Sequence, residues 1–444
     1  MTSATSTGDW SGRELHFIAI GGAGMSGLAL VCAGLGARVT GSDRAESSYL
    51  QRLRAAGLEP RIGHDAELVP EGAEVVVSTA IPEDNPELAR ARQRGQRVIH
   101  RGELLAELCS LRRLIAVSGT HGKTTTAGML VHALRQIGAD PAFFLGGELP
   151  GSGPGGEPAN AGWGAGEWVV AEADESDASF LELRPEIAVI TNVELDHHSR
   201  WSSRAELATA FAGFAAAAPA AAVLAAAELD PIAAAGTGEQ RLVRFDSDRP
   251  GPVQLQLRVP GRHNIYNARA ALAALELAGF ELEPAAATLA GFPGMVRRQQ
   301  RKGVRAGAEI YDDYAHHPTE VAATLEAMRE LEPRRLIAVF QPHLYSRTKA
   351  LAPRFGAALA AADLVGVLDV YAAREQPVGD LAGVSGLDVA RAAAEHAGGR
   401  PVLWLRDLAT AERELAPRLR DGDLLVTIGA GDVVQLADAL VEEA

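Results

Sequence analysis

The chain has 444 residues, 47% of them hydrophobic and 22% charged, with a formal net charge of −15. That length suits about two to four domains, each with enough apolar material for its own core. The acidic balance works against a nucleic-acid backbone or an anionic membrane surface as partner, so a phosphorylated ligand must be met by local N–H groups, Arg, Lys or a metal.

From the N-terminus, Met1–Arg13 reads as a polar tail without a secretory signal. An α/β rhythm then begins. A strand over Leu15–Ile20, a helix over Ser26–Leu35, a strand over Ala37–Gly41 and a buried strand over Glu74–Ser78 follow one another as in a parallel sheet. A second start comes at the strand Leu114–Val117, which enters a glycine-containing turn and a helix from Thr124 to about Ile137. Further strands fall at Trp168–Ala171 and Ile187–Thr191, and the Gly- and Pro-rich stretch Gly146–Gly166 reads as a long loop. Helices are expected at Arg204–Ala216 and Asn264–Ala278. The most apolar long stretch, Ala205–Gly236, is cut by Glu206, Pro219, Glu228 and Pro231, which suits a soluble helix–loop–strand and no membrane insertion. A third sheet takes strands at Glu309–Asp312, Leu336–Phe340, Leu364–Leu368, Val402–Leu405 and Leu424–Ile428. The expectation is a three-domain α/β chain divided at 1–109, 110–294 and 295–444. The first and third domains are Rossmann-like, and the central one carries a P-loop-type mononucleotide-binding sheet. The two cysteines, Cys32 and Cys109, make no metal pattern and suit buried thiols in a reducing cytoplasm.

Five segments carry chemistry. Gly22-Ala23-Gly24-Met25-Ser26-Gly27 follows a strand and opens a helix, with Asp43 ending the next strand. Such a turn lets backbone N–H groups approach a diphosphate at a helix N-terminus, and it does not separate NAD from a UDP-sugar. Ser118-Gly119-Thr120-His121-Gly122-Lys123-Thr124-Thr125 resembles a phosphate-binding loop, although Val117 stands where the first glycine of the strict pattern would be. Lys123 is one of only three lysines among 42 basic residues. It can reach the β- and γ-phosphates as a point charge, and the Thr124 hydroxyl can ligate Mg²⁺. Glu172-Ala-Asp-Glu-Ser-Asp177 and Asp196-His197-His198 sit at strand ends, where a carboxylate or imidazole can complete a metal's shell. His263, Asn264 and Asn267 share one helical turn and can read a base edge, a helix cap being the alternative role of Asn264. The last group comprises Arg297-Arg298, Asp312–His317, Gln341–Arg347 and Tyr371–Arg374, whose basic and aromatic side chains suit a phosphate and a small amino-acid carboxylate.

Taken in order, these segments resemble the Mur ligases. Ser78-Thr-Ala-Ile-Pro-Glu-Asp-Asn-Pro86, Gly261-Arg-His-Asn264 and Thr427-Ile-Gly-Ala-Gly-Asp432 add to the likeness, which spans nearly the whole chain. The resemblance implies ATP and Mg²⁺ as cofactors and UDP-N-acetylmuramate and L-alanine as substrates. A related ligase adding a different amino acid or a peptide is the alternative. It leaves monomer and homodimer both open. It implies UDP-substrate contacts at Gly22, Ala23, Gly24, Met25, Ser26, Asp43, Ser78 and Ala80. ATP would lie on Gly119, Thr120, His121, Gly122, Lys123, Thr124, Thr125, His263, Asn264 and Asn267, and the metal on Thr124, Glu172 and His197. The amino acid would meet His317, Tyr345, Arg347 and Arg374, with Lys123, His197 and Arg298 at the chemistry. Three departures stand out: His198-Ser199-Arg200 follows Asp196-His197 where relatives often have Met-Asp, and two more bear on the sites. Leu344 follows His343 where relatives often carry Arg, leaving the amino-acid carboxylate to Arg347 alone or with Arg374. No lysine lies between Lys123 and Lys302, so the carbamylated lysine of some family members has no counterpart.

Overall fold

The computed structural model describes residues 10–176, 178–194, 201–224, 241–245, 253–373 and 375–441. These fall into two compact units, one within Met1–Gln256 and Ile265–Phe292, the other within Leu257–Asn264 and Pro293–Ala444. The short segment before Asn264 thus packs with the C-terminal part of the chain.

The first unit contains two sheets. β1 (Glu14–Ile18), β2 (Arg38–Asp43), β3 (Arg61–Ile62), β4 (Glu74–Val77) and β5 (Val98–His100) are ordered β3-β2-β1-β4-β5 and run parallel. Side chains alternate across this sheet. Leu15 and Phe17 of β1 pack with Met25, Leu28, Leu104 and Leu108, while Ile18 packs with Val75, Leu88 and Ala91 on the other face. The chain goes from β1 to β2 and β3 and returns to β4 on the opposite side, so the crevice of the sheet opens beside β1.

The second sheet holds β6 (Arg113–Ser118), β7 (Ala142–Leu149), β8 (Ala159–Trp163), β9 (Trp168–Glu172), β10 (Ile187–Ile190), β11 (Ala220–Leu224) and β12 (Arg241–Phe245). Their order is β12-β11-β10-β6-β9-β7-β8. β6 lies between β9 and β10, again at a reversal of strand order, and the glycine loop leaves its carboxyl end. The long loop expected over Gly146–Gly166 is corrected here. β7 runs through Leu149, and Ala159–Trp163 returns as an antiparallel edge strand. Tertiary packing overrides the Gly-rich composition. Gly162 leaves room for the Phe143 ring, and Trp163 meets Phe144 at 6.5 Å and Arg112 at 4.4 Å.

The second unit is built on β13 (Gln300–Arg305), β14 (Ala308–Asp313), β15 (Arg335–Phe340), β16 (Leu364–Leu368), β17 (Val402–Leu405) and β18 (Asp423–Ile428). The order is β13-β14-β18-β15-β16-β17, with only β13 antiparallel to its neighbour. Its central strands are buried on both faces, with Ala338 and Phe340 in one core and Ile337 and Val339 in the other. Among the described residues, no helix is long and apolar enough to cross a membrane.

Candidate active site

The loop after β6 is shaped by its glycines. Gly119 has φ +126° and Gly122 φ +82°, and a Cβ on them would collide with Thr191 and Asn267 respectively. The carbonyl of His121 accepts from Thr191 Oγ1 at 2.6 Å and Asn192 Nδ2 at 2.8 Å, while His121 N donates to Asn192 Oδ1 at 2.9 Å. Thr120 Oγ1 donates to the Glu194 carbonyl at 2.8 Å, and His121 Nε2 lies 3.0 Å from Glu194 Oε2. The segment after β10 therefore clamps the loop in one conformation. Gly122 then opens the helix Lys123–Gln136 without a side-chain cap or an acid in the first turn, an end suited to an anion.

Lys123 is 13% exposed. Its ammonium donates to the Gly119 carbonyl at 2.7 Å and sits 2.8 and 3.1 Å from the two oxygens of Glu175. Burial disfavours its charge, but Glu175, Asp174 and Glu172 outweigh that and hold its pKa above the ordinary lysine range. Burial pushes the Glu175 carboxyl up even so, with Lys123 opposing. Asp174 is also disfavoured by burial, yet Lys123 and the Ser176 N–H hold it below the usual carboxylate range. One ammonium thus faces three carboxylates. Thr124 Oγ1 donates to Glu172 Oε1 at 3.1 Å, and Gly146 N donates to Glu172 Oε2 at 2.7 Å. A hydroxyl and a carboxylate oxygen converge there, beside negative charge that Lys123 alone does not balance. This donor set fits a hard divalent cation. Thr125 is partly exposed on the same first turn. Asn267 is buried and its Oδ1 accepts from Thr126 at 3.3 Å, bringing it against Gly122. His197 lies outside the described residues.

At the first sheet, Gly21 N donates to Asp43 Oδ2 at 2.9 Å, so the acid that ends β2 closes the glycine turn. The helix Ala23–Gly34 begins without a side-chain cap or a first-turn acid. Gly22 and Gly24 are exposed, Ala23 is partly exposed, and the side chains of Met25 and Ser26 are buried in the fold. Those two can serve a ligand only through their backbones. Ser78 and exposed Ala80 occupy the loop after β4, where Ile81 N donates to the Ser78 carbonyl at 3.1 Å. Arg101, missed in the sequence, stands where a Cβ on Gly24 would lie 3.0 Å from its Nη1, and its Nη2 donates to Asp174 at 3.3 Å. A basic residue directly after a parallel strand was the available signal.

In the second unit, Arg297 is fixed by Asp312 at 2.9 Å and by the carbonyls of Gly429 and Gly431. Arg297 and Arg298 both lie over the Tyr314 ring, 5.1 and 5.3 Å from its centroid, and Arg298 has Glu320 at 4.0 Å. His317 is buried as the cap of the helix Pro318–Arg329, its Nδ1 accepting from Thr319 N at 3.4 Å. Its neighbour His316 joins Tyr314 and His343 in an edge-on ring cluster, and His343 stacks on Tyr371 at 5.8 Å. Arg347 Nη1 lies 3.4 Å from His343 Nδ1. Burial lowers the His316 pKa, Arg347 and Arg298 reinforce this, and Glu320 opposes. Leu344 takes φ +68° just before the helix Tyr345–Leu359, a strained conformation for a branched side chain, with its N–H on the Tyr371 carbonyl at 3.0 Å. Tyr345 is partly exposed at that helix start, and Arg374 lies outside the described residues.

His263 and Asn264 belong to this unit and converge on Gln299, at 3.1 and 3.0 Å. Burial pushes the His263 imidazole down from 6.5 to about 4, with Glu330 opposing. The folded chain therefore binds that proton less readily than the unfolded one. This group's contribution to stability is whole above about pH 6.5 and is lost as the pH falls toward 4. Asp313, pushed up to about 6 by burial, works in the opposite sense over part of that window. The informative quantity is thus the difference between wild type and H263N. The variant should lose less stability on acidification in denaturant titrations, and parallel pH profiles would count against this role.

Three family models match the chain in succession: Mur ligase family, catalytic domain, over residues 14–113; Mur ligase middle domain over 117–275; and Mur ligase, glutamate ligase domain over 297–431. The UDP-N-acetylmuramate–L-alanine ligase of Mycobacterium avium is 44% identical, covering 97% of this chain and 95% of its own length. The ligase of the same name from a Mycobacterium species, strain JLS, is 42% identical over 97% and 94%. The crystal structure of UDP-N-acetylmuramate–alanine ligase from Thermotoga maritima superposes with a TM-score of 0.82 at 27% identity, over 96% of this chain and 98% of that one. With the lysine loop, the acid segment and three sheets in this order, the chain belongs to the Mur ligase family.

Proposed function

We propose that the chain joins L-alanine to the lactyl carboxylate of UDP-N-acetylmuramate at the expense of ATP, in peptidoglycan precursor synthesis. The observation that carries this reading is Lys123, held on the glycine loop 2.8 Å from Glu175 with Thr124 on Glu172. The near full-length likeness to alanine-adding ligases supports the choice of substrates.

A carboxylate is a poor electrophile, and an amine does not displace oxide from it. The lactyl oxygen first attacks the γ-phosphorus, the bond to the β-phosphate oxygen breaks, and ADP departs. The alanine nitrogen then adds to the acyl carbon, sheds a proton, and phosphate leaves with the bonding pair. In the first step the anionic acid meets a polyanion, so neutralisation of charge is the main demand on the protein. Lys123 supplies a fixed cation at the transferring phosphate, and the loop N–H groups orient the chain of phosphates. Thr124 and Glu172 would hold Mg²⁺, with His197 as a further ligand, and that ion would offset charge between the phosphates. Residues 1–109 would bind the UDP portion through the Gly22–Ser26 turn, 110–294 the ATP, and 295–444 the amino acid beside Arg298, His317, Tyr345, Arg347 and Arg374.

The test is phosphate release from ATP and Mg²⁺ with UDP-N-acetylmuramate and one amine at a time. L-Alanine should give the highest kcat/KM among alanine, glycine, serine, glutamate and a muropeptide-type tripeptide. Turnover with the tripeptide and none with alanine would replace this reading by that of a peptide-adding relative.

A further inference from the structure

We infer that Glu87 is a positioning residue for the UDP-sugar acid, tying the two walls of the first sheet's crevice together through a hydrogen-bonded crossing. This rests on the reading of that sheet as the UDP-substrate site.

At a switch point the connections leave in opposite directions, so the chain does not directly link the loops on the two sides of the crevice. Glu87 makes that link here. It lies in the first turn of the helix Pro86–Gln93, directly after the loop that follows β4. Its side chain is fully buried, and it reaches past β1 to β2 and to the residues beyond β3. His16 Nε2 of β1 is 2.7 Å from Oε2, and His64 Nδ1 is 2.7 Å from Oε1. Ser42 Oγ of β2 donates at 2.7 and 2.8 Å to the two oxygens. His16 is buried as well, and its other nitrogen lies 2.9 Å from Thr40 Oγ1. Register explains the convergence. His16 pairs with Thr40 and Ile18 with Ser42, so residues 16, 40 and 42 share the face on which this helix packs.

Each end of the crossing leads to a substrate wall. Ser42 precedes Asp43, whose carboxylate holds the N–H of Gly21 and so the turn that carries Gly22–Ser26. Asn85 Oδ1 accepts from Glu87 N at 2.9 Å and Leu88 N at 3.1 Å, fixing the end of the loop that holds Ser78 and Ala80. An ionised carboxylate withdrawn from water is retained only with this many donors. Burial opposes its charge, yet His16, Ser42 and His64 hold it below the usual carboxylate range. A small apolar side chain would fill the same volume without crossing the crevice. The network therefore specifies the separation of the two walls.

The test is E87Q, which keeps the shape and sets an amide N–H₂ against groups that donate. Calorimetric titration with UDP-N-acetylmuramate should show about tenfold weaker binding, the scale of one mismatched buried hydrogen bond. KM for that substrate should rise in step, with kcat and the KM values for ATP and L-alanine near wild type. A general structural role would instead lower thermal stability and move all the parameters together, which overturns the inference, as does wild-type affinity in E87Q. Should E87Q not fold, H64L, which removes the donor at the partly exposed edge of the network, must show the same selective loss, and its absence overturns the proposal. A wild-type protein that does not bind UDP-N-acetylmuramate defeats the substrate assignment itself, a different result from equal binding by both proteins.

Discussion

K123M should lower kcat/KM for ATP-dependent ligation by a factor on the order of 10²–10³, the usual effect of deleting one preorganised charge aimed at a transition state. The lysine is embedded in the first turn of its helix and held by Gly119 and Glu175, so its ammonium needs little reorganisation when phosphate arrives. Methionine keeps the apolar stem and removes only the cation. K123R should not rescue activity. A planar guanidinium with five donors cannot occupy a niche built for one compact ammonium between the Gly119 carbonyl and Glu175. This chain uses arginine for nearly every other basic position, which makes the retained lysine informative. Initial rates of phosphate release with all three substrates provide the measurement. A K123M protein turning over within about threefold of wild type would remove the lysine from the chemistry.

The sequence pattern carried the sheet strands well, because buried parallel strands are short apolar runs and tolerate little else. Leu114–Val117, Ile187–Thr191 and Leu424–Ile428 are such runs, and strands form at each. The edge strand Ala159–Trp163 was not legible, since its pairing to β7 depends on Phe143 meeting the space at Gly162, a contact between distant positions. The lysine loop was legible because its residues are contiguous. Glu87 was not, since its partners Ser42 and His16 lie 45 and 71 positions away and no local spacing announces them. His317 shows a related limit. Resemblance places it among the amino-acid contacts; its role as cap of the helix Pro318–Arg329, and the ring cluster that its neighbour His316 joins, depend on the fold. Adjacent histidines on an irregular segment point in different directions, and only the fold decides which caps the helix and which joins the rings.

E175Q should weaken the protein without nucleotide and yet strengthen its response to nucleotide. Glu175 is 1% exposed and neutralises an ammonium that is itself largely buried. Removing its charge leaves Lys123 with the carbonyls of Gly119 and Thr120 at 2.7 and 3.3 Å and the more distant Asp174 and Glu172. Breaking one side of a buried pair costs about 3–5 kcal/mol when the other charge is left uncompensated. Here Asp174, Glu172 and two carbonyls still serve Lys123 and burial already disfavours the Glu175 charge, so the expected loss falls below about 3 kcal/mol. The γ-phosphate competes with Glu175 for the same ammonium. In wild type a bound polyphosphate must share Lys123 with that carboxylate, whereas in E175Q it takes over an ammonium whose nearest counter-charge is gone. A nonhydrolysable ATP analogue should therefore raise the unfolding midpoint of E175Q more than that of wild type, by linkage of binding to folding. Its affinity should rise by about tenfold if some 1.4 kcal/mol of the competition is relieved. Urea titrations of both proteins with and without the analogue measure the two effects together. If E175Q matched wild type in the absence of nucleotide and gained no more from it, Glu175 would be a bystander and the ammonium would owe its position to the loop carbonyls alone.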